Sequence, residues 1–149
     1  MTKNFIETML FGSVAINAAL LIFFAGVFRK MMNAVDAATF KSLTTLMVRY
    51  STKSPFMIFA LNIPLFLAIP YYYGCGFGNW WITAGLVLWL VAGSLAKAYK
   101  LPVYKALAKL QITEVEEIQK ARGKLNSGNI FQAVHYVVAT VLVALGIGV

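Results

Sequence analysis

The chain is poor in the residues that most catalytic and metal sites are built from. One cysteine, Cys75, stands among 149 residues, so neither an internal disulfide nor a cysteine metal cluster can form within one chain. One histidine, His135, excludes bis-histidine haem ligation by a single chain. Acidic residues number 5 against 13 Lys and Arg, and all charged residues together make up 12%. A soluble domain of this length needs more polar surface than that. What fills the space is apolar: 60% of the residues are hydrophobic, and the mean hydropathy is +0.76. The net charge of +8 would suggest nucleic acid in a soluble protein, but the basic residues are confined to two segments between apolar runs. A membrane-topology rule accounts for them, and nucleic acid is excluded as a partner.

A bilayer core of ~30 Å is crossed by about 20 mostly apolar helical residues. Four stretches meet this length, at 5–28, 55–73, 80–99 and 129–148, leaving loops at 29–54 and 100–128. The first run is too long for a typical signal-peptide core and has no clear cleavage site before Arg29-Lys30, so it reads as a retained helix. The expected fold is all-α: a single integral membrane domain over 1–149, a four-helix bundle with amphipathic helical loops. Of the 13 basic residues all but Lys3 lie in or beside those two loops, while the "GCGFGN" turn carries no charge. Both loops are therefore expected in the cytoplasm of a bacterial inner membrane, with both termini outside.

Tyr71, Tyr72, Tyr73, Trp80 and Trp81 flank the short turn and read as an interfacial aromatic belt. In the first loop, Phe40, Leu43, Met47 and Tyr50 recur along one helical face, and Ser54-Pro55 ends that helix and opens the next span. In the second, Thr113 and Glu116 have capping-box spacing, Val115, Ile118 and Leu125 mark an apolar side, and Gly128 punctuates before the last span. The spacing leaves open whether these helices extend the bundle or lie on the lipid surface.

Polar groups at membrane depth need partners, so their levels are informative. His135, Asn62 and Ser94 each fall roughly 8–11 Å below the basic ends of their spans. Gln132 and Tyr136 flank His135 on the last helix. These five could wall a small polar pocket, with His135 and Tyr136 as the catalytic pair and Asn62, Ser94 and Gln132 orienting a hydrophobic ligand. The competing reading makes them interhelical hydrogen bonds of about 0.6–2 kcal/mol each. For His135 the two readings are even; for Asn17, Asn62 and Ser94 interhelical bonding is favoured. Glu7 reads as reaching the headgroups, with a proton-accepting carboxylate as its alternative. Small residues such as Ala15, Ala18, Ala92, Gly93 and Ala96 permit close helix approach. No metal site is expected, and the residues leave the cofactor unknown.

The order of parts resembles the anthrone-oxygenase-like four-helix membrane proteins, a large family mostly of unknown function. The elements that carry the likeness are "AGVF" at the end of the first span, "VDAATF" after it, the proline opening the second span and "LPVYKAL" after the third. Arg122, Asn129 and the small-residue-rich last helix around Ala133 complete it. The resemblance implies cofactor-free oxygenation of an activated polycyclic phenol, with His135 as base and Tyr136 or Asn62 orienting a carbonyl. The expected function is thus binding or oxygenation of a hydrophobic aromatic or quinone-like molecule from the bilayer. The alternative is an accessory subunit of a larger membrane complex or a homo-oligomer. A transporter is the weakest class, because no repeated broken helices are present.

Overall fold

A computed structural model describes residues 2–148 and places them in five helices. These are α1 (Lys3–Ala34), α2 (Ala37–Ser51), α3 (Pro55–Cys75), α4 (Trp80–Lys109) and α5 (Val115–Ile147). All but α2 are long and apolar enough to cross a membrane, so the chain is a polytopic all-α membrane protein. The helices α4 and α5 form the most extensive pair, α1 packs against α5, and α3 packs chiefly against α1.

Local chemistry sets the helix ends. Asp36 caps α2, accepting from the Thr39 amide at 2.9 Å. Hydrogen bonds from the Thr39 backbone and hydroxyl hold its carboxyl below the ordinary value of 3.8. A depressed folded value means that the cap contributes fully at neutral pH and is lost as the pH falls through that depressed value. Ser54 caps α3 with Pro55 at its first position, as the sequence suggests. Asn79 caps α4 through Ile82 N and also donates to Gly146 O at 2.6 Å, tying the 76–79 turn to the far end of α5. Within α1, residues Phe24–Phe28 form a wider π-turn between two separate buried clusters.

The first cluster lies at membrane depth and joins Leu10 and Val14 of α1, Tyr71 of α3, Ile82 and Trp89 of α4, and Tyr136 and Ala139 of α5. The second, at the basic end, joins Met32, Phe40, Leu107, Ile118 and Leu125. Around both, large apolar side chains such as Ile16, Phe56, Ile69 and Val134 face outward on every spanning helix. Lipid rather than water suits such a surface.

Five expectations are corrected. The last two helices do not break at the expected loop boundaries: α4 runs through Pro102 to Lys109 and α5 starts at Val115, so the second loop shrinks to Leu110–Glu114. Gly128 lies buried inside α5 because a Cβ there would stand 2.9 Å from the Lys100 stem. The Thr113 capping box does not form; Glu114 takes the cap position and accepts from the Gln111 amide instead. On α2 the buried face is Ala37, Phe40 and Thr44, whereas Leu43 and Tyr50 are 45% and 67% exposed. The aromatic belt is only partly one: Tyr73 is 95% exposed, but Tyr71 is 1% exposed and belongs to the core.

The α4–α5 contact is the tightest in the molecule. A Cβ on Gly85 would meet Val143 Cγ2 at 2.7 Å and Ala139 O at 2.8 Å, and one on Gly146 would meet Ile82 Cγ1 at 2.5 Å. Gly12 has open space around it. Gly85→Leu is therefore expected to lower stability by about 1–3 kcal/mol through overpacking. Gly12→Ala should leave the unfolding midpoint in detergent unchanged or raise it. Equal midpoints for the two variants would show that the helices do not approach this closely.

Candidate functional site

The polar groups of the α4–α5 contact gather at its basic end. Lys100 Nζ donates to Gln132 Oε1 at 2.7 Å and to Asn129 Oδ1 at 3.1 Å. Asn129 and Gln132 are one helical turn apart on α5, so one ammonium reaches both. Tyr136 follows one turn further, its hydroxyl beside Gln132 and against Gly93, where a Cβ would stand 2.7 Å from the oxygen. An ammonium has three donors. Two are used here among the described residues.

Beside this cluster, on the same pair of helices, lies an open cleft of about 350 Å³ lined by Leu95, Ala96, Tyr99, Ser127, Gly128 and Phe131. Gly128 belongs to both: it lines the cleft and abuts the Lys100 stem. His135 stands at the cleft's edge. Its ring lies 4.1 Å from that of Phe131, centroid to centroid, and Nδ1 is 2.8 Å from Phe131 O. A carbonyl only accepts, so Nδ1 is the donor in that contact.

The five residues expected to wall one pocket are thus brought together only in part. Gln132 and Tyr136 share the α4–α5 seam, with His135 at its margin. Ser94 is exposed, because it sits two residues from the buried Ala92 and Ala96, about 200° round the helix. Asn62 is on α3, which packs chiefly on α1, and its side-chain amide donates to Ile58 O of its own helix at 2.6 Å. Asn17 likewise donates to Ser13 O, one turn earlier in α1. Lys100, which the sequence presents as one of the basic residues that set the topology, is a polar hub of the seam. Its position one residue beyond the third apolar run, facing polar residues on the next helix, is the signal that marks it.

A second polar joint holds the basic end together. Arg122 of α5 donates to Val35 O at 3.0 Å and Asp36 O at 3.1 Å, and its guanidinium stands 4.5 Å above the Phe40 ring. Asn126 donates to Asn33 Oδ1 nearby. These contacts fix the corner between α1 and α2 onto α5, a structural rather than chemical task. Among the described residues no group of three metal-ligating side chains occurs.

Comparison with known proteins returns no match: neither a protein-family model, nor a curated protein, nor a solved structure is similar to this chain. The class therefore rests on the fold itself, a membrane-spanning all-α bundle.

Gln132→Leu would leave the Lys100 ammonium with Asn129 alone. A loss of about 1–3 kcal/mol is expected, with part of it restored in the double variant Lys100→Met/Gln132→Leu. Thermal unfolding of the wild type, the double variant and both single variants, Gln132→Leu and Lys100→Met, in one detergent checks this; additive losses would mean that the pair is not coupled.

Proposed function

We propose that the protein binds a hydrophobic aromatic or quinone-like molecule drawn from the bilayer, and that the α4–α5 cleft receives it. The observation that carries this reading is the pairing of two things on one helix seam. One is a cleft with two aromatic walls, Tyr99 and Phe131; the other is a set of hydrogen-bonding groups immediately beyond Gly128. Ligand sites are commonly apolar clefts of this size with a few placed polar groups. Rings would stack on Phe131 and Tyr99, and a ligand oxygen would take the remaining Lys100 donor. In the cofactor-free oxygenation that the family resemblance implies, His135 Nε2 at the cleft's edge is the group that would accept the substrate proton. Both basic loops would face the cytoplasm of a bacterial inner membrane.

A second reading, an accessory subunit or homo-oligomer, is favoured by α3. It is the least buried of the spanning helices, and Phe56, Phe59, Phe66 and Ile69 all point away from the bundle.

Thermal unfolding of purified protein with a panel of quinones and anthrones tests the first reading. A saturable ligand is expected to raise the midpoint by an amount that grows with its concentration. Ser127→Trp, which fills the cleft from an exposed position, is expected to abolish that rise at unchanged intrinsic stability. No shift with any ligand, together with copurifying subunits or a defined oligomer, would favour the second reading.

A further inference from the structure

The outward face of α3 carries one group that lipid cannot answer. Pro64, Leu67, Ala68, Tyr71 and Cys75 make the inward face of this helix, each buried or packed against the membrane-depth cluster. Asn62 comes two residues before Pro64, about 200° round the helix, and so lies opposite that face. It stands about 10 Å along α3 from Pro55. Phe59, Phe66 and Ile69 share its outward stripe at i−3, i+4 and i+7, and each is more than half exposed. The Phe59 and Phe66 rings stack along that stripe with centroids 5.7 Å apart.

A carboxamide has two N–H donors and an accepting oxygen. Asn62 commits one N–H to Ile58 O, its one side-chain hydrogen bond among the described residues. The second N–H and Oδ1 are left over, and hydrocarbon tails offer them nothing. A second copy of this chain does. Two copies inserted in one membrane run in the same direction, so a two-fold axis along the membrane normal sets α3 against α3 with both Asn62 residues at one depth. Donor and acceptor on the same side chain make the amide self-complementary: each free N–H meets the other Oδ1. A partner of different sequence would need a polar group of its own at that level.

We propose that the protein is a two-fold dimer in the membrane, joined α3 to α3, with the two Asn62 carboxamides paired across the axis and Phe59 and Phe66 packed on either side. The proposal rests on the homo-oligomer form of the second reading and names its contact surface.

The full chain in phosphatidylcholine vesicles tests it. In a Cys75→Ala background, Ile69→Cys is expected to yield a cross-linked dimer with a short bis-maleimide, whereas Ile16→Cys, on the outward face of α1, is expected to yield none. Energy transfer between copies labelled at the N-terminal amine reads the dissociation constant. Asn62→Leu is expected to raise it about tenfold, and Asn62→Gln, which keeps the carboxamide, to hold it near the wild-type value. A monomeric wild type would overturn the proposal and the homo-oligomer together. An oligomer equally tight in Asn62→Leu, or one cross-linked through Ile16→Cys and not Ile69→Cys, would overturn the proposal alone and leave the homo-oligomer standing. A copurifying subunit of another sequence that is lost in Asn62→Leu would also overturn it, by assigning the stripe to a different partner. The cross-linking comparison decides the matter by itself should Asn62→Leu not fold.

Discussion

Close approach of α4 and α5 is the constraint on which the rest of the structure depends. Lipid is as apolar as the side chains it surrounds, so helices in a bilayer are held by packing and a few hydrogen bonds rather than by escape from water. Here the packing is made possible by missing side chains. Gly85 and Gly146 admit Val143 and Ile82, Gly93 admits the Tyr136 hydroxyl, and Gly128 admits the Lys100 stem. Each glycine costs helix propensity, about 1 kcal/mol relative to alanine in a soluble helix, and the interlocked partners offset it. The seam then serves as a spine against which α1 docks along one side and α2 caps the basic end.

The same seam explains where polar groups are tolerated. Lys100, Asn129 and Gln132 answer one another, Asn79 reaches across to Gly146, and Arg122 finds two carbonyls at the α1–α2 corner. Asn17, Asn62 and His135 instead have carbonyl partners within their own helices. They are bonded locally and do not pull the helices of the bundle together. Glu7 stands apart from both groups: it is buried in the bundle rather than out at the headgroups, with Lys3 Nζ 3.8 Å away and no hydrogen-bond partner for Oε1 among the described residues.

Hydropathy made the four spans legible, because crossing a bilayer demands a run of apolar residues whatever the fold. It could not show where α4 and α5 stop, since a helix leaving the membrane keeps its hydrogen bonds and changes only its surface. Gly128 looks like punctuation in the sequence, but in the fold it is a contact point inside a long helix, and Pro102 is likewise absorbed by α4. Depth is readable by counting residues, but direction round the helix is not. Gln132 and Tyr136 are related by one turn on one helix, and that spacing puts them on a common face. Ser94 and Asn62, matched to them by depth alone, point elsewhere. Lys100 is the converse case: a charge at a membrane boundary usually reports orientation, and only its partners on α5 reveal a second role.

The pairing of helices also carries a consequence for biosynthesis. The chain emerges as α1, α2 and α3 before α4 and α5, and α3 finds its main neighbour, α1, already in the membrane. The other face of α1 stays open to lipid until α5, the last helix made, arrives. That helix closes three joints at once: the seam with α4, the contact with α1, and the Arg122 anchor on the α1–α2 corner. Assembly is therefore completed from the C-terminal side, and a ribosome that stalls before α5 leaves behind a hairpin and an unpaired helix rather than a smaller version of the bundle.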